Sequence, residues 1–299
     1  MAAVQIGAVF PQTEIGTDPG AIRAYAQAVE AMGFSHLLTY DHVLGANVAR
    51  PDRQAQRWAY TIEDQFHEPF VLFGYLAATT QRLGLATGVI ILPQRQTALV
   101  AKQAAAVDVL SAGRLRLGVG IGWNAIEYEA LGEDFHNRGR RFAEQIAVLR
   151  ALWTQPSVTF HGRWHHIDEA GLNPLPVQRP IPLWIGGAQA PGEAPVSVLR
   201  RIGELADGWV LTRTPAPDIE TKWNRIKEFA RQAGRDPAQL GLEGAIRYRD
   251  GTPETWRQAL VAWEQLGATH VSINTMGAGL HAADGHVEAL RRVKEALAH

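Results

Sequence analysis

Apolar residues along this chain gather in eight short runs: Val4–Phe10, His36–Tyr40, Leu83–Ile91, Leu115–Gly120, Leu183–Gly186, Gly208–Thr212, Leu240–Ile246 and Thr269–Asn274. Each is nearly continuous in apolar residues, the pattern of strands buried on both faces of a parallel sheet. Between the runs, apolar positions recur with helical spacing. Ala21–Met32 puts Ile22, Tyr25, Ala26 and Val29 on one stripe and stops at Gly33. Arg141–Trp153 aligns Phe142, Ile146, Leu149 and Trp153 in the same way. Pro69–Thr80, Thr97–Leu110, Ser197–Leu205, Ile219–Ala233, Glu254–Leu266 and Gly285–Leu297 are the other predicted helices. Asp218, Thr252 with Pro253, and Asp284 serve as entry signals for the last three. Eight strand–helix units in unbroken rhythm predict an α/β fold, a (β/α)8 TIM barrel. A doubly wound open sheet shares the alternation and differs in closure, which alternation alone does not reveal.

Two intervals are too long for simple connections. Gly45–Glu68 follows strand two and is polar, with Arg50, Arg53 and Arg57 near Trp58 and Tyr60. Thr154–Pro182 follows strand four; it holds a predicted hairpin, Val158–Asp168 turning at Gly162, and then a proline-rich stretch. Long loops in compact domains carry function, and the first leaves the carboxyl end of a strand, the active-site face of a barrel. Residues 1–299 are therefore expected to form one barrel domain with insertions after strands two and four.

Composition narrows the function. There are 29 Lys+Arg against 30 Asp+Glu, a net charge of −1, so the basic footprint of a nucleic-acid binder is missing. The chain has no cysteine, which excludes disulfides, thiolate zinc sites, iron–sulfur clusters and cysteine nucleophiles. The start, MAAVQIGAVFPQ, lacks the basic region and apolar length of a signal peptide, and no apolar run is long enough to span a membrane. The expectation is a cytoplasmic protein without nucleic-acid or membrane partners.

Candidate chemistry lies just beyond the strand ends. Asp41-His42 supplies an imidazole beside a carboxylate, although neighbours on a strand point apart and need not pair. Glycines at 118–122 and at 186–187 let backbone approach a ligand, especially a phosphate. Gly120-Ile-Gly-Trp-Asn-Ala125 also satisfies a dinucleotide-binding pattern, but that reading needs an acidic residue ending a second strand about 20 positions on. A predicted helix carrying Glu144 stands there instead. His161, His165, His166 and Asp168 resemble a metal set, yet strand alternation turns His165 and His166 apart and no closed set of four ligands is present, so no metal is assigned. Arg213 and Arg247 follow strands six and seven, where they would hold an anionic substrate or brace the barrel rim. Trp123 at the glycine turn and Trp58 in the long loop are placed to wall in a flat heterocycle, whereas Trp153, Trp223, Trp256 and Trp263 belong to helices and packing.

Several segments together resemble the luciferase-like monooxygenase superfamily, particularly its coenzyme F420-dependent branch. They are Ile6-Gly-Ala-Val-Phe-Pro11, Asp41-His42, Leu83-Gly-Leu-Ala-Thr-Gly-Val89, Ser111–Tyr128 with its Gly-Val-Gly-Ile-Gly-Trp-Asn core, Arg138–Trp153, Pro174-Leu-Pro-Val-Gln178 and Pro182-Leu-Trp-Ile-Gly-Gly187. The likeness covers the whole chain and is densest between 80 and 190. It implies a TIM barrel with a deazaflavin or flavin across its mouth. His42 matches the acid/base or hydrogen-bond donor at the reacting ring, and Asp41 would contact the ring system. Gly88-Val89 falls where relatives often have a non-proline cis peptide. Gly120, Gly122, Gly186, Gly187 and Ala188 match positions along the ribityl-phosphate path, with Trp123 and Asn124 beside them. One departure matters: the sugar-phosphate dehydrogenase branch has a catalytic glutamate after the Gly-x-Gly turn, and Trp123 stands there, which argues against a glucose-6-phosphate-like substrate. The expected cofactor is F420, with FMN and molecular oxygen as the alternative chemistry and an inactive binding protein as a third. The resemblance also implies a homodimer formed through helices near strands two and three; Pro69–Thr80, carrying Phe70, Phe73 and Tyr75, is apolar enough to take part, and a buried core helix would show the same pattern.

Overall fold

A computed structural model describes residues 3–53 and 58–298, so Arg57 lies outside the described residues. Its barrel strands are β1 (Gln5–Val9), β2 (His36–Thr39), β3 (Gly84–Thr87), β4 (Leu115–Gly120), β5 (Leu183–Gly186), β6 (Gly208–Val210), β7 (Gly241–Arg247) and β8 (His270–Asn274). Each pairs in parallel with the next in chain order, and Gln5↔His270 through Ala8↔Ile273 join β1 to β8. The sheet therefore closes, and the open-sheet alternative is excluded. The predicted run Leu83–Ile91 divides into β3 and a two-residue strand, Ile90–Ile91, with a cis peptide bond between Gly88 and Val89.

Helices cover the outside, and among the described residues none is long and apolar enough to cross a membrane. Their ends follow local chemistry. Asp18 accepts from the backbone N–H of Gly20 and Ala21 at the start of Pro19–Ala31. Thr252 and Thr255 form a reciprocal capping box at the start of Pro253–Gln265. Asp218 and Asp284 are not caps: their helices, Pro217–Gln232 and Ala283–Leu297, begin after Ala216 and Ala282. Both acids lie in the first turn, where the helix dipole favours negative charge.

Inside the barrel, Val9, Leu38, Ala86, Trp184 and Val210 form an apolar layer. Below it, at the amino ends of the strands, lies a buried polar cluster that the apolar pattern does not predict. Glu243 meets His36 Nε2 at 2.8 Å, Ser272 Oγ at 2.6 Å and an Arg116 guanidinium nitrogen at 2.7 Å. Arg116 also stacks over the Trp184 ring at 4.3 Å. Burial opposes the charge on Glu243, but the adjacent Arg116 and His36 outweigh it and hold the carboxyl far below its ordinary range. Gly7 makes room for this cluster: a Cβ there would lie 2.3 Å from the His36 ring.

In the second insertion, Val158–His161 and His166–Ala170 form the predicted hairpin. Glu144 accepts from the backbone N–H of Arg163, Trp164 and His165 at 2.8–2.9 Å, so it anchors the hairpin turn instead of ending a Rossmann strand. His165 turns inward to Glu144 and Thr97, while His161 and His166 stack on the exposed side at 4.2 Å with Asp168 beside them. His165 and His166 thus point to opposite sides as expected, and the exposed group of His161, His166 and Asp168 lies on the hairpin and not at the barrel mouth.

Candidate active site

The carboxyl ends of the strands surround a cleft of about 700 Å³, within the roughly 300–1,000 Å³ typical of ligand sites. The first insertion closes one side with Tyr60, Asp64 and Phe66, and β4 contributes Gly120, Ile121, Gly122 and Trp123 through its following turn. On the opposite side stand Glu14, Gln189, Thr212, Arg247, Asn274 and Met276. The cleft therefore has an aromatic wall facing a more polar one.

His42 is built into the aromatic wall. Its ring lies against Tyr60 at 3.6 Å between centroids and meets Phe66 edge-on at 4.7 Å. The adjacent Asp41 takes other partners: it accepts from the backbone N–H of Ile91 at 3.0 Å and pairs with Arg95 at 2.7 Å. Arg95 reaches on to Glu68 at 2.9 Å, which ties Asp41 to the start of Pro69–Thr79. The carboxylate behind His42 is Glu127, in the first turn of Ala125–Ala130, with Oε2 at 3.9 Å from His42 Nδ1. Glu127 accepts from the backbone N–H of Val43 and Leu44 at 2.7 and 3.1 Å, from Tyr60 Oη at 2.9 Å and from Gln94 Nε2 at 3.3 Å. Burial pushes its pKa upward; the nearby His42 and these backbone donors more than offset that and hold it below the ordinary carboxylate value.

The glycines line the cleft for a reason nearer to packing than to ligand approach. A Cβ on Gly120 would lie 2.6 Å from Val89 Cγ2, and one on Gly186 would lie 2.7 Å from Val89 Cγ1. Val89 thus fills the space that side chains at the ends of β4 and β5 would need. Gly122, at φ +62°, makes the left-handed turn that presents Trp123. Gly88, Val89, Gly120, Gly122, Trp123, Gly186 and Gly187 all reach the cleft, as do Asp41 and His42.

Four expected site residues do not line it. Asn124 is buried; it caps Ala125–Ala130 through the backbone N–H of Ile126 and donates to Tyr60 Oη at 2.8 Å. Ala188 turns its carbonyl to Lys222 Nζ at 3.1 Å. Arg213 is held by both oxygens of Asp218 at 2.9–3.0 Å and bonds the Gln189 carbonyl, so it braces the rim. Trp58 donates to the Arg53 carbonyl at 3.2 Å and reaches the site only through Trp123, at 6.1 Å between rings. Arg247 does line the cleft, with Asp250 at a loose 3.8 Å. Sequence reasoning missed Glu127 and Phe66, and gave Tyr60 no role beyond the long loop. The available signal was an acid in the first helical turn beyond the glycine turn, which marks a site only once its partner is known.

The surfaces present fit a flat tricyclic ring: aromatic side chains on one wall, Val89 and glycine backbone along the base, and an imidazole at the edge. Comparison with known proteins agrees with this geometry. The family described as luciferase-like monooxygenase matches residues 5–298. An FMNH(2)-dependent dimethylsulfone monooxygenase of Pseudomonas putida is 32% identical over 78% of this chain and 59% of its own length. An F420-dependent glucose-6-phosphate dehydrogenase of Segniliparus rotundus is 27% identical over 80% of this chain and 67% of its own. The coenzyme F420-dependent tetrahydromethanopterin reductase of Methanopyrus kandleri superposes with a TM-score of 0.76 at 16% identity, covering 99% of both chains, and shows the shared barrel. The chain belongs to the luciferase-like monooxygenase family of oxidoreductases.

Proposed function

We propose that the protein is an F420-dependent oxidoreductase that exchanges a hydride between the deazaflavin and a small organic substrate in this cleft. The observation carrying this reading is His42, a proton-handling group held at the cleft wall against Tyr60 with the acidic Glu127 behind it. Asp41, Gly88, Val89, Gly120, Gly122, Trp123, Gly186 and Gly187 would hold the cofactor, which when bound supplies the hydride donor or acceptor. His42 takes up or delivers the proton that accompanies hydride transfer at a substrate oxygen. Tyr60, Phe66 and Trp123 shed water from that side, and Arg247 offers its cationic group to the substrate from the polar wall. Asn124 acts at one remove by fixing Tyr60.

An FMN-dependent monooxygenase is the second reading, favoured by the 32% identity to the dimethylsulfone enzyme. Fluorescence titration with F420, FMN and their reduced forms separates the two. Saturable binding of F420 with none of FMN is expected; binding of FMN alone would replace the first reading by the second.

We also propose a homodimer through Pro69–Thr79. Phe70 and Phe73 face the barrel and are buried, so the contact falls instead to Val71, 73% exposed, and Tyr75. Leu99 and Leu110 on Thr97–Leu110 extend the same kind of apolar surface. Light scattering on the purified protein should return twice the single-chain mass, and Val71→Asp should return the single-chain mass. A wild-type monomer at micromolar concentration would remove the dimer.

A further inference from the structure

Neutral histidine carries its proton on either of two nitrogens, and the neighbours of each nitrogen decide which. His42 Nδ1 is fully buried and has no hydrogen-bond partner. Glu127 Oε2 faces it at 3.9 Å, close enough for the carboxylate charge to bias which ring nitrogen carries the proton. The same carboxylate grips what surrounds His42. Oε1 holds the backbone N–H of Val43 and Leu44, the two residues that follow it, and Oε2 holds the hydroxyl of Tyr60, whose ring lies on the imidazole.

We infer that Glu127 is a positioning residue that keeps the proton of neutral His42 on Nδ1 and so leaves Nε2 as the free base toward the cleft. An ionised carboxylate only accepts, so a bare Nδ1 lone pair pointed at it would set two acceptors against each other in a buried space. Lowering of the Glu127 pKa by its backbone donors and His42 keeps it in that acceptor-only form. Glu127 cannot be exchanged for its amide without reversing the arrangement. In Glu127→Gln the amide oxygen is required by Val43 and Leu44, so the NH2 group takes the place of Oε2, gives up the hydrogen bonds accepted there from Tyr60 and Gln94, and donates toward Nδ1. The proton of His42 then belongs on Nε2, and the free base toward the cleft is lost.

The inference rests on the reading of His42 as the proton-handling group, but its test needs neither cofactor nor substrate. Two-bond 1H–15N spectra of the 15N-labelled protein above pH 8 report which imidazole nitrogen is protonated, with His42 assigned from the signal missing in His42→Asn. The wild type should show the Nδ1–H form and Glu127→Gln the Nε2–H form. Tyr60→Phe removes two hydrogen bonds, the one it donates to Glu127 and the one it accepts from Asn124, while keeping the carboxylate, and should retain Nδ1–H; a merely structural role for Glu127 would shift both variants alike. An Nε2–H form in the wild type, or an unchanged form in folded Glu127→Gln, overturns the inference. If Glu127→Gln does not accumulate, the wild-type spectrum decides alone. With F420 present, Glu127→Gln should lower kcat at least tenfold and change F420 affinity less than twofold. Tautomers as expected without any F420 binding would overturn the cofactor reading and leave the role of Glu127 standing.

Discussion

Replacing His42 by alanine is expected to lower turnover by about 10²–10⁴-fold, the usual contribution of a positioned acid/base. On the proposed reading the cofactor should still bind, because the glycine backbone of β4 and β5, Val89 and Trp123, which line the cleft, would form its bed without the imidazole. Loss of His42 leaves the Tyr60 ring uncovered on one face, but Tyr60 keeps its hydrogen bonds to Glu127 and Asn124, so the wall remains standing. The check is a pair of measurements: steady-state turnover of F420 with any alcohol or carbonyl compound that a substrate screen returns, and fluorescence titration of F420. Turnover within threefold of the wild type would strip His42 of its role. A parallel collapse of F420 affinity would make it a binding residue instead.

The largest expected effect on stability lies at the other end of the barrel. Arg116→Met should cost about 3–5 kcal/mol at neutral pH, because it leaves Glu243 buried without its strongest opposing charge. The methionine fills much of the volume and keeps contact with Trp184, so the loss reports the charge more than a cavity. The pH dependence has a definite sign. In the wild type the Glu243 pKa is depressed, so its contribution is complete above the ordinary carboxylate range and fades as pH falls through the lower folded value. In Arg116→Met burial dominates and the carboxyl prefers its neutral form, so the deficit against wild type should narrow as pH falls from 7.5 toward 5. Changing Glu243 to methionine as well should recover part of the loss, since an apolar replacement removes the stranded charge. Guanidinium denaturation at the two pH values tests each point, and a deficit under about 1 kcal/mol at pH 7.5 would show that the cluster is not held by this pair.

These two residues differ in how visible they are along the chain. His42 stands two residues past the end of a predicted strand, beside an acid, in a position that resemblance to a family singles out. Arg116 and Glu243 interrupt otherwise apolar runs, and nothing local shows that β4 and β7 aim them at the same point inside the barrel. The same contrast applies to the rim. Arg213 lies three residues past β6 and Arg247 ends β7, both at the barrel rim, yet Asp218 in the following helix captures the first, while the second has Asp250 at a loose 3.8 Å. Asn124 and Ala188 lie in the right turns and face the wrong way, because a helix cap and a lysine claim them.

What the chain by itself determines is the order and the punctuation. Eight buried strands, their alternating helices, the two insertions and the glycine-lined strand ends follow from local rules, since burial on both faces demands continuous apolar runs and helical packing demands its own period. Closure, and the identity of the residues that serve His42, depend on tertiary structure alone. β1 finds β8 across 265 residues, and the acid behind His42 is Glu127, 85 positions away, while its sequence neighbour Asp41 turns to Arg95. Such pairings are set by the register and curvature of the closed sheet, which bring distant strand ends to one mouth. No window of sequence contains that geometry, because it is a property of all eight strands at once.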